Sequence, residues 1–114
     1  MAYIRVSYMV PRPSQDGHVA EVLEKLSRHY LERPGYIQGY YLQPHPEAAP
    51  PRFGRVGIWE SARAAEDAAQ HEDIMALRAE LIRLVDEDSH IELTFIGDAD
   101  RAEGASASQA AKAE

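Results

Sequence analysis

The stretch FGRVGIWES at residues 53–61 constrains this chain more than any other. It reads as a strand running directly into a helix start. Side chains alternate across a strand, so Val56 and Ile58 share one face while Arg55, Gly57 and Trp59 share the other. Glycines weaken a strand, and Gly54 and Gly57 together suggest that something packs close to this backbone. Ser61 supplies a helix cap, because its hydroxyl can accept a bond from an unpaired first-turn N–H. Before this stretch, Pro44, Pro46, Pro50 and Pro51 forbid a regular element and mark an exposed connection.

The rest of the chain arranges itself around that strand. Residues 3–10 alternate, with Ile4, Val6, Tyr8 and Val10 opposite Tyr3, Arg5, Ser7 and Met9, and predict a first strand. Pro11 and Pro13 end it. Ser14 is the expected cap of a helix whose apolar face is Val19, Val22, Leu23, Leu26, Tyr30 and Leu31. Glu21–Lys25 and Glu24–Arg28 are i,i+4 pairs in the favourable order, and Pro34-Gly35 stops the helix. Residues 36–43 predict a second strand with a bulge at Gly39, and a long-looped hairpin joins it to the Phe53 strand. After Ser61 comes an alanine-rich helical segment. The apolar pattern then resumes at Ile74, Leu77, Leu81, Leu84 and Val85, as one helix or as two broken near Gln70-His71. Residues 90–97 give the last strand, with Ile91, Leu93 and Phe95 opposite His90, Glu92, Thr94 and Ile96.

The order β-α-β-β-α-β with right-handed crossovers predicts an α+β, ferredoxin-like fold: a four-stranded antiparallel sheet with its helices on one face. A chain of 114 residues holds one such domain, taken as 1–97. Residues 98–114 are small and polar and are expected to form a disordered tail, helical if a partner surface holds it. The uncovered sheet face is expected to carry tyrosines and Trp59, too apolar to be left wet. A homodimer through that face, a dimeric α+β barrel, would bury it. A net charge of −7 argues against nucleic acid as the main partner, since phosphate binding needs a basic patch. No apolar run reaches the roughly 18 residues of a membrane span, and no signal peptide is evident, so the expected location is cytoplasmic. With no cysteine there is no thiolate metal site or cysteine nucleophile. The 5 histidines form no i,i+4 pair and no His-Glu-x-x-His run, so no metal is expected.

Arg33-Pro34-Gly35-Tyr36, then Ile58-Trp59-Glu60-Ser61, Ala64-Ala65 and His71, resemble the antibiotic biosynthesis monooxygenase family. The resemblance covers roughly residues 3–97. It implies the dimeric α+β barrel fold and, in the enzymes of that family, oxidation of quinols or anthrones by O2 without a cofactor. The superfamily also includes haem-degrading proteins. Those place an axial histidine near where Leu77 and Arg78 stand here and use a first-strand asparagine, whereas this chain has no asparagine.

The resemblance makes His71 the candidate catalytic base, since a histidine there borders the substrate pocket and the residue type exchanges protons near neutral pH. The competing account is a helix-break histidine with local hydrogen bonds, and Met75 stands where the family often has a further histidine. Trp59, Tyr8, Tyr41 and Arg55 are the candidate substrate-binding residues. Trp59 either stacks on an aromatic ligand or packs in the core or interface, and the tyrosines Tyr8, Tyr36, Tyr40 and Tyr41 divide the same way. Arg5, Ser7, Arg55 and Glu92 fall on like strand faces. They form either an internal Arg–Glu pair or a site for an anionic substrate.

Three functions are consistent with these residues. The first is a cofactor-independent monooxygenase acting on a polycyclic phenol, anthrone or quinol. The alternative is a non-catalytic small-ligand-binding or stress-response barrel, and the third is an oligomerisation unit. A cavity of a few hundred Å3 with convergent polar groups would separate the first two from the third.

Overall fold

The computed structural model describes residues 1–102. Its elements are β1 (Ala2–Met9), α1 (Asp16–Tyr30), β2 (Tyr36–Leu42), β3 (Phe53–Trp59), α2 (Ala62–Ala69), α3 (Glu72–Leu84) and β4 (Ile91–Gly97). A short 3-10 turn, Glu87–Ser89, precedes β4. The strands form one antiparallel sheet in the order β2-β3-β1-β4. This is the expected ferredoxin-like arrangement, with β1 and β3 central. Most of the tail expected over 98–114 lies outside the described residues, while 98–102 are exposed and carry no regular element.

Local chemistry accounts for most boundaries. Ser61 caps α2 as expected, accepting from the Ala64 N–H at 3.1 Å. The helical region does break, with α2 ending at Ala69 and α3 starting at Glu72. Gly35 turns the chain into β2 at φ +82°, a conformation open to glycine. There its α-carbon hydrogen faces the Ala64 side chain, so α2 packs directly on the turn. Ser14 does not cap α1: it sits at φ 69°, the N-cap is Gln15, and no side chain closes the first turn. The bulge lies between Tyr36 and Gln38 rather than at Gly39.

The registers correct the assignment of sheet faces. Arg55 pairs with Ser7, and Ser7 with Glu92, so the Arg55, Trp59, Tyr3, Arg5, Ser7 and Glu92 side chains share one face. That is the helix-covered face. Trp59, expected on the open face, is instead 2% exposed and in the core, with Tyr3, Tyr30 and Tyr36 packed against it. The open face carries Ile4, Val6 and Tyr8 of β1, Ile91, Leu93 and Phe95 of β4, Val56 and Ile58 of β3, and Tyr40 of β2. Leu93 is 42% exposed and Phe95 51%. The branched aliphatic side of the sheet thus turns away from its own helices, and the polar side turns toward them.

One apolar core lies between the helices and the sheet. Met9, Val19, Val22, Leu23, Leu26, Phe53, Ile74, Leu81 and Val85 form its centre. α1 contributes four of these at the spacing of one helix face. Leu23 is fully buried. Leu23→Ala is expected to lower unfolding free energy by about 2–5 kcal/mol, read from urea denaturation. A loss below about 1 kcal/mol would show that this layer is not a packed core.

Candidate functional site

The polar inner face cannot be filled by apolar packing, and a cavity of about 430 Å3 lies between it and the helices. The sheet contributes Arg5, Ser7, Arg55, Trp59, Glu92 and Thr94, α1 contributes Tyr30, and α3 contributes Arg78. The row Arg55–Ser7–Glu92 crosses three adjacent strands. At the usual inter-strand spacing its ends stand about 10 Å apart.

Arg55 occupies one end. It is 7% exposed, yet no carboxylate pairs with it among the described residues. Instead its Nε donates to Ser27 Oγ of α1 at 3.0 Å, and its Nη2 donates to the Tyr36 hydroxyl at 2.9 Å. The guanidinium carbon lies 4.5 Å from the Tyr30 ring centroid, a cation–π distance. Tyr30 stacks with Tyr36 at 5.9 Å and meets the edge of Trp59 at 5.5 Å, while Tyr36 and Trp59 lie 4.8 Å apart. Tyr30 and Trp59 wall the cavity beside the guanidinium. Burial pushes the Tyr30 hydroxyl above its ordinary pKa, against the opposing pull of Arg78, Arg55 and Arg5. The hydroxyl therefore stays protonated at neutral pH.

The other end is a mixed cluster. Arg78 Nη2 donates to Glu92 Oε1 at 3.1 Å, and His90 Nε2 lies 3.5 Å from the same oxygen. The His90 side chain is 22% exposed and lines the cavity. Of the two sequence accounts for the arginines, the internal pair exists, but Arg78 makes it. Arg5 and Arg55 remain without a carboxylate among the described residues; Arg5 lies beside the Tyr3 ring, 5.6 Å from its centroid.

The candidate residues divide between this cavity and elsewhere. Arg55 and Trp59 line it. Tyr41 is the cross-strand partner of Arg55 on β2, but it is exposed and does not reach the lining. Tyr8 points to the open face. His71 is the N-cap of α3, its Nδ1 accepting from the Asp73 N–H at 3.3 Å, and it does not line the cavity of this chain. That geometry matches the helix-break account. Sequence reasoning does not single out Tyr30, Arg78 and His90 as pocket residues. The alternation His90-Glu92-Thr94 is visible in the sequence, and placing that face inward would bring His90 to the site. Among the described residues, no group of three or more His, Asp or Glu side chains is arranged to hold a metal ion.

Gly39 makes the Arg55 contact sterically feasible. A Cβ there would collide with the Tyr36 hydroxyl and the Val56 carbonyl and would stand 3.1 Å from Arg55 Nη2. Only glycine lets β2 run this close to the Tyr36–Arg55 bond. Gly39→Ala is expected to cost about 1–3 kcal/mol by overpacking, measured as a fall in thermal midpoint. An unchanged midpoint would remove the close-approach account.

No family model matches the chain, and no curated protein matches it. Solved structures do share its fold. A point mutant of SnoaB, a cofactor-independent oxygenase from Streptomyces nogalater, superposes with TM-score 0.74 at 12% identity, covering 90% of this chain and 98% of that one. A conserved protein from Methanosarcina mazei gives TM-score 0.74 at 13% identity over 83% and 91% of the two chains. A provisionally named antibiotic biosynthesis monooxygenase from Nitrosomonas europaea gives 0.74 at 14% identity over 84% and 89%. The chain therefore has the fold of the antibiotic biosynthesis monooxygenases, matched over nearly their whole length.

Proposed function

We propose that the protein is a cofactor-independent oxygenase acting on an electron-rich aromatic substrate, a polycyclic phenol, anthrone or quinol. The observation that carries this reading is the helix–sheet cavity, which has the size of a small-ligand site, an aromatic wall and convergent polar groups. The shared fold with a protein named as a cofactor-independent oxygenase supports it.

The chemistry asks little of the protein. An anthrone-type methylene loses a proton to a base, and the resulting delocalised anion is electron-rich enough to reduce O2 itself. One oxygen atom ends as the new carbonyl and the other leaves as water with the two methylene hydrogens. The methylene carbon is oxidised and O2 is reduced, with no other reactant. The protein supplies orientation, exclusion of bulk water and the base. Trp59 and Tyr30 hold the flat substrate. His90 is the proton acceptor in this scheme, because it faces the cavity and Glu92 stands beside its Nε2 to stabilise the imidazolium that forms. His71, the base suggested by the family resemblance, would need a second chain to complete a pocket around it.

The open sheet face completes the proposal. Ile4, Val6, Leu93, Phe95, Val56 and Ile58 make a contiguous apolar face that no element of this chain covers among the described residues, the kind of patch that marks an interface. A second copy packed sheet to sheet would bury it and brace the floor of the cavity. No helix among the described residues is long and apolar enough to cross a membrane.

The deciding experiment is oxygen uptake by the metal-free protein with a panel of dihydroxynaphthalenes and anthrones, with products identified by mass. Incorporation of one oxygen atom above the spontaneous rate is expected, and His90→Gln should lower it by about 10²–10⁴. His71→Ala should retain most of it. Loss in the His71 variant with retention in the His90 variant would reverse the assignment. No uptake across the panel would move the weight to a non-catalytic ligand-binding barrel. Separately, Leu93→Glu is expected to convert a dimer to a monomer in light scattering coupled to size exclusion. A wild-type monomer at micromolar concentration would refute the dimer.

A further inference from the structure

The guanidinium of Arg55 is held in a way that leaves a charge without a counterion. Burying a cation is costly unless it is paired and hydrogen-bonded. Arg55 receives two neutral hydroxyl partners and a ring face, which satisfy Nε, part of Nη2 and the flat surface. None of these neutralises it. Its Nη1 has no protein acceptor, yet no buried side-chain nitrogen is orphaned among the described residues, so that edge is accessible. Arg55 is also one of the residues that line the cavity.

The charges around the cavity make the same point. It is lined by Arg5, Arg55 and Arg78, with Glu66 and Glu92 as the carboxylates. Glu92 is bonded to Arg78, and Glu66 is exposed to solvent on α2. Arg5 and Arg55 are left in surplus on adjacent strands, within a protein whose net charge is −7. An acidic protein that keeps two guanidiniums without carboxylates in its aromatic-walled cavity is arranged to hold an anion there.

We infer that the cavity binds its aromatic ligand as an anion, with a carboxylate or phenolate oxygen on the free edge of Arg55 and the ring system against Trp59 and Tyr30. Arg5, one residue pair further along the same face, supplies a second positive charge. This rests on the reading of the cavity as a ligand site, and not on its oxygen chemistry. A charge-assisted bond to a preorganised guanidinium is stronger than a neutral one, and burial removes the competition from water. Neutral ligands of the same shape leave Arg55 unpaired and bind more weakly.

Two probes read this directly on the full chain by titration calorimetry and absorbance. The first compares 1-naphthoate with its neutral isostere 1-naphthamide. The second is 4-nitrophenol, whose yellow band reports ionisation, measured below the pH at which it ionises in solution. The expected result is naphthoate binding at least about tenfold tighter than the amide, or growth of the yellow band on binding. The former assigns a carboxylate to the ligand, the latter a phenolate. Arg55→Gln should abolish the preference and Arg55→Lys should restore part of it. Equal affinity for acid and amide, with no yellow band, overturns the inference in the wild-type protein alone, whether or not the variants fold. A preference that survives in folded Arg55→Gln also overturns it. Anion preference without oxygen uptake removes the oxygenase reading and leaves this one standing; uptake without anion preference does the reverse.

Discussion

The Arg55 side chain ties its strand to both a helix and a neighbouring strand. It originates on a central strand and reaches Ser27 on α1, the Tyr36 hydroxyl on the neighbouring strand and the face of Tyr30. The contacts to Ser27 and Tyr30 tie α1 to the sheet beside the cavity, and the Tyr36 bond ties β2 to β3. The aromatic trio follows from them, since Tyr30 and Tyr36 hold their positions against Trp59 through the same guanidinium. Gly39 is a consequence of it, because β2 must approach without a side chain. Hydrogen bonds from a charged donor are each worth about 1.5–3 kcal/mol, which offsets part of the cost of desolvation but not the absence of a counterion. The site is therefore stable and still electrostatically unsaturated.

The second constraint is the inverted polarity of the sheet. A lone sheet covered by helices on one face would normally turn its aliphatic face toward them. Here Ile4, Val6, Leu93 and Phe95 face outward, and Arg5, Ser7, Arg55 and Glu92 face inward. The arrangement is costly for an isolated chain and favourable when another sheet covers the aliphatic face. It also explains why the helix–sheet layer contains a cavity. Met9, Val19, Leu23 and Ile74 are fully buried, and the layer opens where the strands present charge. Leu23, Leu26 and Leu81 belong to both core and cavity wall, so the cavity opens directly off the core.

Local signals in the sequence settle what local physics decides. Alternation locates all four strands, Ser61 caps its helix, and the break at Gln70-His71 falls where the apolar pattern lapses. Alternation also shows that Arg5, Ser7, Arg55 and Glu92 share a face. It cannot show which face looks inward, because that depends on the pleat phase of the ladder relative to the crossovers. An apolar face can equally be sealed by helices or by another sheet. Trp59 goes to the wrong side in the sequence reading for this reason. His90 is overlooked beside His71 because a motif position draws attention to a residue whose imidazole closes a helix turn. Arg78 lies off the apolar pattern of its helix, and only the packing of α3 brings it to Glu92.

The placement of the two charged ends has a chemical consequence. On the proposed reading Arg55 would hold a negative oxygen and His90 would take the proton beside Glu92, which stands about 10 Å away across the same row of strands. A fused aromatic ring system has that span. Binding one oxygen as an anion at Arg55 would draw electron density toward that end, while the carbon to be deprotonated lies at the other. The cation then tightens binding of the anion, and it lowers the barrier only to the extent that negative charge on that oxygen grows as the proton leaves the far carbon. With the charges reversed, or with Arg55 paired internally to Glu92, the same cavity would hold a neutral ring equally well and give no such differential. The ion pair between Arg78 and Glu92 matters on this account, because it occupies the carboxylate that would otherwise neutralise Arg55.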